Sequence, residues 1–257
     1  MTDSVERLAV ISDIHGNALA LQTVQDDLAQ HPCDRIICLG DAVQGGAQPA
    51  ETIRLLRVLA CPVVMGNADD WLLTGVDSDA EPLSPQQIAV REWSMSQLSD
   101  DDRSYIAEFA PTVTVELPVD RRLLAFHGSP ASYDDVILPG TPDEDVDAYL
   151  GPYAGSILCG GHTHMQQIRR IGSLFFFNPG SVGLAYSHRQ EPGTFRADPW
   201  AEYAVLSAGA GALSLELRRV PLDIDRLIEI ILGSGRPDAA EMAAQYGWSA
   251  GLAKMMR

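Results

Sequence analysis

Two histidines at the end of a short apolar run are the strongest chemical signal in the sequence. Residues 157–159 are apolar, two glycines follow, and then come His162 and His164. Histidine is the side chain that most often ligates metal ions in proteins. On an extended segment the two imidazoles would lie on the same side, where they could bind one ion or two ions with a shared bridge. The alternative interpretation is an exposed polar turn that happens to contain two histidines.

Four other apolar runs also stop at residues that can bind a metal. Each has the length of a buried strand. The residues that follow them are Asp13 and His15 after 8–11, Asp41 after 36–39, Asn67 after 63–65, and His127 after 122–126. Because amphipathic segments separate the first three runs, the pattern predicts a βαβαβ unit with parallel strands. Ligand sites of such sheets lie outside the carboxyl ends of the strands, so we expect these side chains to gather there.

The chemistry of this set points to divalent ions. Two carboxylates, four imidazoles and one amide suit Mn, Fe, Zn or Ni, and the thiolates of a structural zinc site are missing from the set. Seven ligands are too many for one ion and fit two ions that share a carboxylate. Two ions roughly 3.5–4 Å apart form the clamp used in phosphoryl transfer and other hydrolyses. We therefore expect two divalent ions, with manganese favoured.

In order and composition these blocks resemble the motifs of the calcineurin-like metallophosphoesterases. The family pattern is Asp-x-His, Gly-Asp, Gly-Asn, His and Gly-His-x-His. The sequence has Asp13-Ile14-His15, Gly40-Asp41, Gly66-Asn67, His127 and Gly161-His162-Thr163-His164. The turn at 178–183 also resembles one in compact bacterial and archaeal members. The resemblance implies an α/β fold, a four-layer αββα sandwich with a βαβαβ start, and says little about the C-terminal part of the chain.

The resemblance also implies a role for each motif residue. Asp13, His15 and His164 would bind the first ion, Asn67, His127 and His162 the second, and Asp41 would bridge them. The reaction would be in-line attack on a phosphate ester by a metal-bound hydroxide, with Asp41, Asn67 and His127 as the catalytic residues. Asn67, together with His188 and Arg189 of the loop at 184–200, would contact the substrate, although a solvated loop is the alternative interpretation for His188.

One residue departs from the family pattern. Many members have a histidine directly after the Gly-Asn pair, and that histidine assists the leaving group. This sequence has Gly66-Asn67-Ala68-Asp69 instead. General acid assistance is typically worth about 10²–10⁴-fold, and alanine cannot supply it. Ala68 therefore favours a phosphodiesterase over a phosphomonoesterase, which stays as the alternative.

The remaining sequence predicts one domain over 1–257, with the catalytic motifs in 8–183 and a helical tail at about 221–257. Residues 71–110 are predicted to be helical, and 129–153 to be mostly loop. Because both segments leave the scaffold near the ligand-bearing strand ends, we expect them, with the loop after Val182, to form the walls of the substrate pocket.

Composition limits the partners. The net charge is −17 and Lys254 is the only lysine, which argues against binding of extended nucleic acid. The four cysteines form no CxxC pair, so buried free thiols are expected. We expect a cytoplasmic protein without a signal peptide or membrane span, and no oligomeric state is predicted. The substrate class is a small phosphate ester, with cyclic nucleotides and diadenosine polyphosphates as candidates by analogy alone. A non-catalytic interaction module on the same fold is the competing class.

Overall fold

Two mixed β-sheets form the centre of the structure, a computed structural model that describes residues 5–76, 83–191, 193–209 and 211–247. The strands are β1 (Glu6–Ile11), β2 (Arg35–Cys38), β3 (Val113–Leu117), β4 (Arg121–Ala125), β5 (Ile157–Cys159), β6 (Gln167–Ile171), β7 (Leu174–Asn178), β8 (Trp200–Gly209) and β9 (Ala212–Pro221). The helices are α1 (Ala18–Gln30), α2 (Pro49–Leu59), α3 (Asn67–Thr74), α4 (Pro85–Ser96), α5 (Asp100–Ala107), α6 (Asp143–Leu150), α7 (Ile224–Gly233) and α8 (Ala239–Ala244), and a 3₁₀ turn covers Gly151–Tyr153.

Three of the four strands that lead into candidate ligands, β1, β4 and β5, lie inside the sheets, and β2 lies at an edge of the first sheet. The first sheet has the order β2-β1-β8-β9, with β1 and β2 parallel. The second has the order β3-β4-β5-β7-β6, with β4, β5 and β7 parallel. Within each parallel group the carboxyl ends of the strands therefore lie at one edge of the sheet.

Apolar side chains divide the molecule into four layers. Leu8 and Val10 of the first sheet pack against Leu123 and Cys159 of the second in a core between the sheets. A second core lies on the outer face of the first sheet, which α1, α2, α7 and α8 cover. A third core, on the outer face of the second sheet, contains residues of α6. This arrangement confirms the predicted αββα sandwich.

Local sequence explains where the first helices begin. The Asn17 side chain accepts a hydrogen bond from the Ala20 amide at 3.1 Å, which caps α1 as predicted. Pro49 occupies the first turn of α2 and Pro85 that of α4. Ser99 forms a reciprocal capping box with Asp102 at the start of α5. These starts agree with the predicted helices.

The third strand of the βαβαβ unit is shorter than predicted. Val63 and Val64 form only isolated parallel bridges, to Cys38 and Ala110, and Met65 lies outside them. The chain then enters α3 directly at Asn67, so this candidate ligand lies in the first turn of a helix.

The predicted loop at 184–200 also ends one residue early, because Trp200 begins β8. Part of the predicted helical segment, 77–82, and the end of the tail, 248–257, lie outside the described residues.

No described helix combines the length and apolarity that crossing a bilayer requires.

A buried carboxylate in β8 makes stability depend on pH. Glu202 is 3% exposed, and it accepts hydrogen bonds from Arg219 Nε at 2.8 Å and Trp200 Nε1 at 3.2 Å. Burial outweighs these contacts and raises the pKa of Glu202 from 4.5 to about 7. The folded state therefore keeps a proton that the unfolded chain releases, so stability is lost as pH rises from 4.5 to about 7.

Replacing Glu202 by Gln should remove this pH-dependent part of the free energy of unfolding. Across the whole pH range it amounts to something of the order of 3 kcal/mol. The measurement is the free energy of unfolding in urea for both proteins across this pH range. The control is Glu229→Gln on the exposed side of α7. An unchanged slope in Glu202→Gln would show that Glu202 ionises at its ordinary pKa.

Candidate metal centre

The turns after β1 and β2 are hydrogen-bonded to each other. The Asp13 amide donates to the Gly40 carbonyl at 2.9 Å, and the His15 amide donates to the Asp41 carbonyl at 2.8 Å. These bonds continue the parallel pairing of the two strands beyond their ends. Asp13, His15 and Asp41 are therefore held next to one another by backbone contacts.

Five of the seven predicted ligands have a left-handed backbone. Their φ angles are 53° for Asp13, 47° for His15, 49° for Asp41, 68° for His162 and 56° for His164. In the described parts of the chain only eight non-glycine residues have positive φ, so the conformation concentrates at these positions. Such backbone is uncommon outside glycine and clusters at functional sites, where surrounding structure holds it in place.

These positive φ angles correct the expectation that His162 and His164 lie on an extended segment. His162 and His164 do not lie on an extended segment, because both have positive φ in the loop between β5 and β6. Their imidazoles do reach the same region, but they join different groups of ligands. Period-two alternation was the wrong reason for that convergence.

The turn at 178–183 connects the ligand loops of the two sheets. Asn178 Nδ2 donates to the Gly161 carbonyl at 2.6 Å, and Ser181 Oγ donates to the Asp13 carbonyl at 2.7 Å. The Gly183 amide also donates to the Asp13 carbonyl, at 3.0 Å. A Cβ on Gly183 would lie 1.7 Å from the Ile14 carbonyl oxygen, so only glycine fits there.

The first group of ligand atoms comes from Asp13, His15, Asp41 and His164, and these atoms all lie within 4.8 Å of one another. His15 Nε2 is 2.9 Å from His164 Nε2, and His164 Nε2 is 3.4 Å from Asp13 Oδ1. Asp13 Oδ1 also accepts the His162 amide at 3.2 Å. Two imidazole nitrogens and a carboxylate oxygen thus meet at one point.

The second group comes from Asp41, His127 and His162, whose ligand atoms also lie within 4.8 Å of one another. Asn67 Oδ1 is 3.0 Å from His127 Nε2 and 3.0 Å from His162 Nδ1. Asp41 Oδ2 lies 3.4 Å from His127 Nε2 and 3.6 Å from His15 Nε2. Asp41 therefore belongs to both groups and lies between them.

Backbone carbonyls fix the tautomers of three of the four histidines in the predicted ligand set. The Nδ1 atoms of His15, His127 and His164 lie 2.8, 2.8 and 2.6 Å from the carbonyls of Gln44, Leu39 and Leu184. A carbonyl only accepts, so Nδ1 carries a proton and Nε2 is the nitrogen that faces the centre. This is the usual support of a metal-ligating histidine. His162 differs, because its Nδ1 faces Asn67.

Charge in the centre is concentrated on Asp41 and His127. Burial raises the pKa of Asp41, but the charges of His127 and His15 outweigh it and hold that pKa well below its usual range. Burial lowers the pKa of His127, but the charge of Asp41 and its hydrogen bond raise it to about 10. In the protein without an ion, a proton on His127 therefore neutralises Asp41.

The pKa values of His162, His164 and Asp13 are shifted toward the neutral forms. Burial and the charge of His127 lower the pKa of His162 to about 4, and burial lowers that of His164 well below its usual value. Burial also raises the pKa of Asp13 to about 6. Neutral imidazole is the form that ligates metals, so His162 and His164 need release no proton at neutral pH.

Asp69 supports the turn that carries Asp41. It is fully buried, and its carboxylate accepts the amides of Ala42 and Val43 at 3.0–3.1 Å. Burial and the charge of Asp41 raise the pKa of Asp69 to about 7. Asp69 therefore orients Asp41 through the backbone that follows it.

The donor set fits divalent ions. It offers carboxylate oxygens, one amide oxygen and imidazole nitrogens, and their atoms converge in two groups around Asp41. The close approach of the His15 and His164 nitrogens is costly unless a cation lies between them. The two groups correspond to the two sets of ligands expected from the sequence.

A cavity of about 610 Å³ opens beside the centre and shares His15 and Asn67 with it. Two of the predicted wall segments line it, 71–110 through residues such as Trp71 and Val90, and 129–153 through Tyr133 and Asp134. Leu184, from the loop after Val182, also lines it.

A fourth wall of the cavity, which was not predicted from the sequence, comes from the C-terminal part of the chain. Arg236 and Asp238 line the cavity, and Arg236 donates to the Gly45 carbonyl. Across the cavity, Gln86 of α4 is hydrogen-bonded to Glu241 of α8. A lone arginine in a polar loop gives no periodicity or motif, so no sequence signal could have identified it.

The two loop residues predicted to contact substrate lie outside this cavity. His188 Nε2 is 2.7 Å from the Thr163 carbonyl, and its ring stacks on Tyr186, which contacts His164 edge-on at 5.4 Å. His188 thus supports the loop that carries His164. Arg189 is exposed and lines a separate hollow of about 260 Å³, so it does not face the metal centre.

The sequence profile of the calcineurin-like phosphoesterase superfamily domain matches residues 7–198. An uncharacterized protein of Methanocaldococcus jannaschii is 27% identical over 248 residues, which cover 90% of this chain and 94% of that protein. A metallophosphoesterase from Sphaerobacter thermophilus has a similar structure, with a TM-score of 0.71, 22% identity, and coverage of 94% of this chain and 100% of that one. A hypothetical protein from Pyrococcus horikoshii OT3 superposes with a TM-score of 0.75 at 19% identity, covering 92% and 97% of the two chains.

Asp41→Asn tests whether the shared carboxylate holds the two groups together. An amide keeps the shape of the side chain but removes its charge and one of its two equivalent oxygens. Metal affinity should therefore fall by more than about 100-fold, because even loss of a residue that only hydrogen-bonds to a ligand typically costs about 10–100-fold. The measurement is metal content per chain after dialysis, with circular dichroism to show that the fold is kept. Asp101→Asn on the surface of α5 is the matched control. Full metal content in Asp41→Asn would contradict a bridging role.

Proposed function

Because the chain belongs to the calcineurin-like phosphoesterase superfamily, we propose that it is a divalent-metal-dependent hydrolase of phosphate esters with two ions at its centre. The observation that carries the proposal is the division of the ligand atoms into two groups that share Asp41. Each group contains imidazoles and at least one carboxylate, which are ligands that divalent ions take. Manganese is the metal we favour.

The ligands would divide between the ions along these groups. Asp13, His15 and His164 would hold one ion, Asn67, His127 and His162 the other, and Asp41 both. Divalent ions at such a site supply Lewis acidity and lower the pKa of water. Every other contribution comes from the side chains and backbone of this chain.

The protein's own groups would position the ester and neutralise charge. Asn67 faces both the centre and the cavity, so its amide lies where a phosphoryl oxygen would enter. His127 is fully buried and held by the Leu39 carbonyl, which makes it a fixed partner of Asp41. Fixed groups of this kind stabilise developing charge without reorganising during the reaction.

We favour a diester as the substrate because of Ala68. This residue lines the cavity next to Asn67, in the first turn of α3, and its methyl group cannot give a proton to a leaving alcohol. Its amide is already used, since it donates to Asp41 Oδ1 at 2.8 Å. A small ester such as a nucleotide derivative suits the cavity volume. A phosphomonoesterase is the second candidate, favoured only by family membership.

The decisive assay is hydrolysis by the purified, manganese-loaded protein. Bis(4-nitrophenyl) phosphate, 4-nitrophenyl phosphate, cyclic nucleotides and dinucleoside polyphosphates form the panel. We expect metal-dependent hydrolysis of at least one diester, lost after treatment with a chelator and restored by metal. Fully metal-loaded protein that cleaves no ester in the panel would support the competing class, a non-catalytic interaction module.

Ala68→His tests the interpretation of the missing acid. A histidine there should raise kcat/KM for an alkyl ester by about 10-fold or more and that for an aryl ester by less than about 3-fold, because only the basic leaving group needs a proton in the transition state. The measurement is the ratio of the two kcat/KM values in each protein. Ala68→Gln, similar in size but without an acid, is the control. Equal gains for both esters would mean that the imidazole acts as a charge and not as an acid.

A further inference from the structure

The cavity beside the metal centre is lined by both polar and apolar side chains. His15 and Asn67 belong to the cavity lining and to the candidate ligands, so the cavity begins at the metal centre. Apolar lining comes from α3, α4 and the segments beside them: Trp71, Val76, Leu83 and Val90. An ester whose phosphate lies at the metal centre would place one of its organic groups in the cavity that these apolar side chains line.

Charged side chains around the cavity are mainly acidic. Asp70, Asp134 and Asp238 line it, and among the described lining residues Arg236 is the one cation. The guanidinium of Arg236 is already used, because it forms a two-point ion pair with Asp238 and donates to the Gly45 carbonyl. Arg236 is also buried, with 7% of its surface exposed. No arginine or lysine among these lining residues is left to bind a second phosphate.

The Asp70 carboxylate contributes to this negative field directly. It lies one helical turn after Asn67 in α3, where the backbone of Asp70 is hydrogen-bonded to Gly66 and Thr74. Burial and the charge of Asp70 raise the pKa of the hydroxyl of Tyr133, another lining residue. Arg91 lies 6.0 Å from the Trp71 ring and donates to the Trp71 carbonyl, but it is not among the residues that line the cavity. Any charge beyond the reacting phosphate would therefore face the Asp70 carboxylate.

From this arrangement we propose that the substrate is a phosphodiester with a single negative charge, one of whose ester groups is an uncharged, flat ring bound against Trp71. The proposal rests on the proposed function and narrows its substrate class. Nucleoside polyphosphates and dinucleoside polyphosphates carry additional charges, which Asp70 would repel. A ring fits because aromatic side chains bury a large apolar area and stack on flat groups.

Binding of unreactive phosphonates separates ring recognition from catalysis. Monomethyl phenylphosphonate and monomethyl methylphosphonate are both monoanions and differ in one phenyl group. Phenylphosphonate keeps the phenyl group and, at sufficiently high pH, carries two negative charges. Calorimetry of each compound with the manganese-loaded protein measures affinity whether or not any ester is hydrolysed.

The phenyl monoanion should bind about 10-fold or more tightly than the methyl monoanion, because only the phenyl group buries apolar area against the wall. Trp71→Ala should reduce this preference to less than about 3-fold. Trp93→Ala, a half-buried tryptophan of α4 outside the cavity, should leave it unchanged. Equal affinity of the wild-type protein for the two monoanions would overturn the proposal without any variant, and so would a Trp71→Ala protein that weakens both equally.

Asp70→Asn tests the charge argument. Removing this carboxylate should tighten binding of the phenylphosphonate dianion by about 3-fold or more relative to the phenyl monoanion, because repulsion scales with ligand charge. Glu92→Gln, an exposed carboxylate of α4 outside the cavity, is the control. An equal effect of Asp70→Asn on both ligands would contradict single-charge selection. Absence of hydrolysis across all esters, with these binding preferences intact, would instead count against the proposed function.

Discussion

The buried carboxylate of Asp41 imposes the arrangement around it. Only 3% of the residue is exposed, and an ionised carboxylate at that depth needs partners on both oxygens. Oδ1 accepts the Ala68 amide, and Oδ2 faces both His15 and His127. A Cβ at Gly66 would lie 2.1 Å from Oδ1, so the Gly-Asn motif leaves the space that Asp41 occupies. The first turn of α3, the turn after β1 and the end of β4 are thus all placed by contacts to one side chain.

Much of this arrangement could be read from the sequence because it follows from strand ends. Apolar runs identified β1, β2, β4 and β5, and the polar residues after them had to meet where parallel strands end. What could not be read was the backbone of the turns. Positive φ at His162 and His164 depends on hydrogen bonds from residues far along the chain, among them Asn178, and no local pattern encodes those. The short third strand could not be predicted for the same reason, because pairing with distant residues decides its length. Val63 and Val64 form only two isolated bridges, which are too few to make a strand.

The structure shows contacts of the C-terminal part of the chain that the sequence did not predict. Its α7, in the predicted helical tail, packs on the first sheet through a strongly amphipathic face. The segment that follows brings Arg236 to the Gly45 carbonyl, beside the Gln44 carbonyl that orients His15. Tyr246 reaches the Gly183 carbonyl at 3.2 Å in the turn that joins the two ligand loops. This part of the chain therefore supports the metal centre from the side opposite the second sheet.

The central claim is that seven side chains of this fold hold two ions that share Asp41. Anomalous X-ray diffraction from crystals grown with Mn²⁺ tests it most directly, because the metal positions are located without reference to the protein coordinates. If the proposed division of the ligands holds, two peaks should appear, one on each side of the Asp41 carboxylate and roughly 3.5–4 Å apart, as in other two-metal sites. One peak should lie among Asp13, His15 and His164, and the other among Asn67, His127 and His162. A single peak at full occupancy, or metal bound away from Asp41, would contradict it.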